Sequence, residues 1–211
     1  VVSRENGGPS AARNLGISLV TSEYVTFVDS DDWIDKDYLK FLVTPFLKNT
    51  DIDLVCCDYV EYSKYNPEGL KINHLPLGLR NKNISNIEYA NCVFNGGNGF
   101  LWSKAFKTEL IKSNQLKLNE KVRLSEDLLF VLEYLKNVKH VFSTTNYSYN
   151  YNRLNEDNLS GVLELGHLRY LEITNKAIIR LAPDLSIDSA IITRKRKAEM
   201  IRKLSYDILL S

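Results

Sequence analysis

Cysteine is scarce in this chain. The three that occur, Cys56, Cys57 and Cys92, are odd in number and include an adjacent pair. No CxxC spacing exists, so neither a disulfide framework nor a thiolate zinc site is expected, and reduced thiols in a reducing compartment are. Long apolar runs are missing too: none approaches the ~20 residues that span a bilayer. Net charge is almost nil, with 27 Lys and Arg against 26 Asp and Glu. That balance carries no global footprint for nucleic acid, and no nucleic-acid partner is expected. Internal repeats and low-complexity tracts are absent. The first residue is Val1 rather than Met, within "VVSRENGGPS". This stretch reads as a strand end entering a glycine turn, so the true N-terminus is expected upstream.

What is present suffices for one ordinary globular domain with an appendage: 211 residues, 44% hydrophobic. Gly7, Gly8 and Pro9 punctuate a turn, with Pro9 suited to the first turn of a helix over about 10–20. "EYVTFVD" (23–29) reads as a buried strand, and Asp35 as N-cap of a helix over about 36–48. Another strand is expected over 51–63. Residues 64–84 read as a long loop or loose hairpin. Ser85 and Glu88 form a capping box for a helix to about 94. "FLWSKAF" is a short strand, Thr108 caps a short helix, and Ser125 caps the apolar helix "EDLLFVLEYLKN". Two short strands are expected near 138–143 and 147–152. From about 162 the pattern turns wholly helical, breaking near Pro183. Strands alternating with helices over the first 150 residues predict an α/β sandwich with a mostly parallel sheet. "NEDNLSG" (155–161) is the candidate linker between 1–158 and a helical extension over 159–211.

Three short stretches could carry chemistry. Asp29, Asp31 and Asp32 crowd the end of the "YVTFV" strand, where α/β sheets bind ligands. A hard cation with substrate phosphates would relieve their repulsion; a polar turn leading into the next helix is the plain alternative. A calcium EF-hand fails, because Ile34 stands at the glycine position and Lys40 at the bidentate glutamate. In "NGGPSAARNLG" (6–16), glycines precede a helix N-terminus that can face an anion, and Arg13 adds a positive fork. It is neither a Walker A loop nor GxGxxG, and taken alone it reads better as a mere helix start with an exposed Arg. In "LSEDLLF" (124–130), Glu126 and Asp127 open a helix, where the macrodipole favours carboxylates. A general base is the functional reading.

Taken together and in this order, these stretches resemble the family 2 glycosyltransferases with a GT-A fold. "FVDSDDWIDKDYLKFL" is similar to that family's metal-binding segment and following helix. "LWSKAFKTELIK" (101–112) and "YSYNYNR…NLS" (147–160) resemble the stretches before and after its catalytic segment. The resemblance covers about residues 3–160. It implies a partial, Rossmann-like GT-A fold followed by C-terminal helices. It also implies inverting, Mn²⁺- or Mg²⁺-dependent sugar transfer from a nucleotide-sugar donor to a glycan or lipid-linked acceptor. Carried over residue by residue, Asp29 and Asp31 become the DxD pair, with Asp31 the direct metal ligand and Asp29 at the donor ribose or metal-bound water. Asp32 is an alternate ligand or supporting residue. Asp127 becomes the catalytic base, Glu126 and Trp102 acceptor or supporting residues, and Arg13 a donor-side residue near the nucleotide. The family's first strand, its P-x-Y-N turn and its D-D-G-S segment are missing from this sequence, so half of the donor pocket is expected outside it. His74, His140 and His167 are late-His metal candidates in principle, with structural roles favoured.

"TRKRKAEMIRK" (193–203) is a basic amphipathic segment. It reads either as a solvated face packed on its neighbour or as peripheral contact with an anionic membrane at the cytoplasmic face. Two other readings of the whole stand beside the transferase: a nucleotidyltransferase of similar architecture, and an inactive nucleotide-sugar-binding fragment.

Overall fold

The computed structural model describes residues 2–97, 99–154 and 165–198. Gly8, at φ 81°, turns the chain into helix α1 (Gly8–Leu19), with Pro9 in its first turn as expected. Strand β1 (Tyr24–Thr26) follows, then the acidic turn, the two-residue strand β2 (Trp33–Ile34) and helix α2 (Tyr38–Lys48). Asp35 does not cap α2. Its Oδ1 accepts from Asn150 Nδ2 (3.0 Å), and Asp37 occupies the cap position without a side-chain bond. The next strand is β3 (Leu54–Ser63), which turns at once into β4 (Asn66–Ile72). Of the loop or loose hairpin expected over 64–84, the hairpin forms, and β5 (Lys82–Ser85) ends the segment.

The Ser85–Glu88 capping box is present, and helix α3 (Asn86–Phe94) follows it. Strand β6 (Lys104–Lys107) leads into helix α4 (Thr108–Ser113), where Thr108 is the first helical residue and Lys107 the cap. Helix α5 (Glu126–Leu135) starts where expected. Ser125, however, sits in the left-handed region at φ 62° and makes no side-chain cap bond. The two strands expected near 138–152 are one long strand, β7 (His140–Arg153). Helix α6 (Leu165–Leu181) stops at a 3-10 turn over Pro183–Leu185, and residues 189–198 are helical.

The seven strands form one sheet in the order β1-β6-β3-β7-β2, with β4 added to β3 and β5 to β7. An α/β architecture is thus present, but the sheet is mixed rather than mostly parallel. β1, β3 and β7 run the same way, and β3–β7 is the parallel pairing among the described strands. β6 enters antiparallel between β1 and β3, and β2, β4 and β5 are antiparallel to their partners. Connection length accounts for the β3–β4 pair: parallel neighbours need a crossover of a dozen residues or more, whereas two residues join β3 to β4.

β3 is buried on both faces over its first six residues. Successive side chains point to opposite faces, so Leu54 and Cys56 join one apolar cluster and Val55 and Cys57 the other. The first cluster lies under α1, α3, α5 and α6 and includes Phe106, Phe130 and Ile178; the second holds Tyr38 and Phe46 of α2 with Trp102 and Tyr149. α6 therefore shares the core of the strand-bearing part, and Thr174 Oγ1 bonds the Leu124 carbonyl (3.0 Å). The expected linker, 155–161, and residues 199–203 of the basic segment lie outside the described residues. Within 193–198, Arg194, Lys195 and Lys197 are exposed.

Buried charge is paired. Asp58 accepts from the His74 ring (2.8 Å), the His74 backbone N–H (3.0 Å) and Arg80, while the other His74 ring nitrogen meets Cys56 Sγ (3.0 Å). Burial alone would raise the Asp58 carboxyl pKa, but the His74 and Arg80 bonds outweigh it and lower it. His74 is thus a core histidine. His140, on exposed β7 backbone, donates its N–H to Asp53 (3.2 Å). The side chain of His167 lies outside the described residues.

Candidate active site

Three stretches far apart in sequence meet at one guanidinium. Arg13, midway along α1, places Nη2 2.7 Å from Asp29 Oδ1. Its Nη1 lies 2.7 Å from Asp127 Oδ1 and 3.2 Å from Glu126 Oε1. The planar fork makes this possible, because one side chain can address two directions at once. Burial would lower the Arg13 pKa, yet the carboxylates of Asp127, Asp29 and Glu126 outweigh it and raise it. Arg13 therefore stands between the acidic turn and the head of α5. The sequence reading placed it near the nucleotide.

Asp127 is the more perturbed carboxylate of the α5 pair. Burial pushes its pKa up to about 7, with Glu126 and Asp29 adding to the rise and Arg13 opposing it. The Leu101 N–H approaches its Oδ2 at 3.4 Å. Burial also holds Glu126 above the usual carboxyl range. A carboxyl poised near neutrality and fixed by a cation is suited to accept a proton at physiological pH.

The acidic turn is divided by function of its atoms. Asp31 is exposed, and its backbone carbonyl accepts from Asn152 Nδ2 (3.0 Å). Asp32 is engaged at both oxygens: Tyr149 Oη donates to Oδ2 and the Asn152 N–H to Oδ1 (2.8 Å). Burial pushes Asp32 up to about 6. These bonds hold the turn onto β7. Asp29 receives Arg13, and its N–H reaches the Tyr149 hydroxyl (3.3 Å). Trp102 is 2% exposed and stacks on Phe100 (4.5 Å), Tyr149 (4.7 Å) and Tyr151 (4.9 Å). Buried this way, it stiffens the turn beside Asp127 rather than offering a ring face to solvent.

Sequence reasoning missed three contributors. Tyr149 and Asn152 hold the acidic turn, and Lys104, fully buried, donates to the Phe100 carbonyl (2.6 Å) beside the Leu101 N–H that faces Asp127. Burial lowers the Lys104 pKa to about 8. The "YSYNYNR" stretch had been singled out as a whole, but alternation along β7 was hidden by the bulge after Thr144.

The acidic turn fits a divalent cation only as part of a shared site. Among the described residues no group of three or more His, Cys, Asp or Glu is gathered to hold a metal. One exposed carboxylate, Asp31, and a neighbour, Asp29, do suit a hard cation that draws its remaining ligands from water and substrate phosphates. A protein-only cage does not fit; a shared site does.

Asp127 has a consequence for stability. Its folded pKa lies above the ordinary 3.8, so the folded chain holds a proton that the unfolded chain has released. Stability contributed by this group is therefore present at low pH and lost as pH rises from about 4 to about 7. We expect the denaturation midpoint of the wild type to fall relative to that of Asp127→Asn across this window and to run parallel above it. Parallel curves from pH 4 to 8 would mean that Asp127 titrates normally.

A family model described as Glycosyl transferase family 2 matches residues 1–108. Among curated proteins, the chain is 31% identical over 117 residues to the putative glycosyltransferase EpsH of Bacillus subtilis, covering 55% of this chain and 33% of that protein. It is 30% identical over 150 residues to the poly(ribitol-phosphate) beta-N-acetylglucosaminyltransferase TarP of Staphylococcus aureus, covering 69% and 42%. It is 30% identical over 164 residues to the cholesterol galactosyltransferase of Borreliella burgdorferi, covering 73% and 44%. The chain thus spans a third to under a half of the length of these relatives. Among solved structures, S. aureus TarS 1–349 in complex with UDP-GlcNAc superposes with a TM-score of 0.67 at 19% identity, covering 95% of this chain and 54% of that one. The likeness identifies the fold as GT-A.

Proposed function

Because the chain belongs to glycosyl transferase family 2, we propose that it carries the acidic turn and the base of an enzyme that transfers a sugar from a nucleotide-sugar donor to an acceptor hydroxyl. The product would be a bacterial cell-surface glycan, a reading supported by the TarP relative, whose name makes it a poly(ribitol-phosphate) beta-N-acetylglucosaminyltransferase. The observation that supports this most is the bridge from Asp29 through Arg13 to Asp127, which joins a donor-side carboxylate to a poised base.

In this proposal the Asp127 carboxylate takes the acceptor hydroxyl proton. The acceptor oxygen then bonds to the anomeric carbon as the bond from that carbon to the diphosphate breaks, and attack from the opposite face inverts the centre. The chain's main contribution is positioning. Asp31 and Asp29 would hold Mn²⁺ or Mg²⁺ with the donor diphosphate, and the cation would offset charge on the leaving group. Arg13 opposes the protonation that burial favours at Asp127 and aligns it, Asp32 with Tyr149 and Asn152 keeps the turn in place, and Glu126 supports the base. The family match leaves no separate observation in favour of a nucleotidyltransferase.

The proposed compartment is the cytoplasm, consistent with three free cysteines. Among the described residues no helix is long and apolar enough to cross a membrane. Peripheral contact through 193–203 and the division into 1–158 and 159–211 remain parts of the proposal.

A donor screen on the full-length protein, scored by nucleoside diphosphate release, tests it. One or more donors should be consumed with Mn²⁺ or Mg²⁺ and spared with EDTA, and Asp31→Ala should lower release by about 10²-fold or more. Equal release in EDTA would remove the metal from the proposal; no release from any donor would remove the transferase.

A further inference from the structure

Asn14 stands on α1 where the residue pattern calls for an apolar side chain. Ala11 and Ile17, three positions to either side, are buried, as is Ser10, and residues three or four apart share a helix face. A carboxamide on that face needs partners, and Asn14 has them. Its Nδ2 donates to the Leu118 carbonyl (2.9 Å) and to Glu120 Oε1 (3.0 Å), and its Oδ1 accepts from the Leu118 N–H (2.8 Å). One side chain thus exchanges bonds with both backbone groups of a single residue, as a paired strand would.

The point it grips is fixed. Leu118 is 3% exposed and belongs to the apolar cluster that holds Phe130 and Leu132 of α5. It lies in the segment between Ser113 and Glu126 that leads into α5. α1 is lightly packed by comparison, since Ser10, Ala11 and Ile17 are the buried residues of its twelve. A helix held by so few side chains depends on its polar ties for rotation and height.

Arg13 is the next residue along. Successive helix positions are fixed about 100° and 1.5 Å apart, so whatever seats Asn14 also aims Arg13. Its Nη1 lies 2.7 Å from Asp127 Oδ1 and its Nη2 2.7 Å from Asp29 Oδ1. A slip of one residue along the axis, about 1.5 Å, would carry these contacts beyond hydrogen-bond range. For stability alone, an apolar residue at this position would continue the stripe of Ala11 and Ile17.

We propose that Asn14 is a positioning residue, whose two-point bond to Leu118 sets the rotation and height of α1 so that the Arg13 guanidinium meets Asp127 and Asp29. The word base for Asp127 rests on the transferase reading above; the link from Asn14 through Arg13 rests on geometry alone. The charged groups around Asp127 are Arg13 from α1, Asp29 from the acidic turn, Lys104 from β6 and Glu126 on its own helix. Arg13 is the strongest influence favouring its carboxylate. Loosening Arg13 therefore makes Asp127 hold its proton more tightly.

A carboxyl ¹³C titration of Asp127 in the full-length protein tests this, with transfer assayed beside it. Asn14→Leu removes the tie and completes the apolar stripe. Asn14→Asp keeps the shape but sets a carboxylate against the Leu118 carbonyl and Glu120. Each should raise the proton affinity of Asp127 about threefold or more and lower transfer at pH 7 about tenfold. In an Arg13→Met background, Asn14→Leu should change either quantity by less than about twofold, because the tie then has no guanidinium to aim. Ile178→Ala, a core change in α6, controls for lost stability: it should lower the thermal midpoint without moving the Asp127 titration. Asn14→Ser replaces any variant that does not fold. An unmoved Asp127 titration in the folded Asn14 variants overturns the proposal, and so does a loss that persists in the Arg13→Met background. The titration needs no turnover, so the two failures separate. Diphosphate release with an unmoved titration overturns the tie alone. A shifted titration without release from any donor leaves the tie standing and overturns the transferase.

Discussion

Asp127→Asn should lower sugar transfer in the full-length protein by about 10²–10⁴-fold, while leaving donor affinity unchanged. The amide is nearly the same shape and still offers an oxygen to Arg13 Nη1, so the contact at 2.7 Å has a successor. What it cannot do is accept the acceptor's proton. Nucleoside diphosphate release in the presence of acceptor measures the loss, and calorimetric titration of donor measures the affinity. The wild type should also gain activity as pH rises and level off above about 7, following the carboxyl that burial holds there. Full turnover by the variant would sink the assignment of the base.

Arg13→Met is expected to be the next most damaging change, with transfer at pH 7 reduced by about 100-fold. The substitution removes a cation that touches Asp29, Glu126 and Asp127, leaving three carboxylates to face one another. The Asp127 pKa should climb further, so part of the lost activity should return near pH 9. Breaking a fully buried pair costs about 3–5 kcal/mol. These side chains are 13–30% exposed, and solvent screening reduces the expected loss of stability to about 1–3 kcal/mol. Arg13→Lys should rescue little, because a point charge cannot reach two directions as the fork does. An unchanged pH midpoint in Arg13→Met would show that Arg13 acts on the donor alone, as its sequence context first implied.

Local signals were legible where their physics is local. The Ser85–Glu88 box closes within four residues, and the structure carries it as read. Pro9 likewise needs only its own ring to favour a first turn. Ser125 shows the limit of such reading: the residue type is right for a cap, but its backbone is left-handed and its side chain makes no cap bond. Asp35 failed as a cap because Asn150, 115 positions later, captures its carboxylate. The sequence reads β7 as two strands because a bulge interrupts the alternation on which strand reading depends.

By itself the sequence determined the family, the α/β class and the three stretches proposed to carry the chemistry. Apolar periodicity, turn residues and the order of short motifs are properties of the chain as written. The tertiary structure alone decided strand direction and partnership. It seated Asp32 against Tyr149 and Asn152, and it set Arg13 between Asp29 and Asp127. The reason is the range of the forces involved. Helix caps and alternation act over a few residues, whereas a guanidinium meeting carboxylates 16 and 114 positions away exists only after the core has closed.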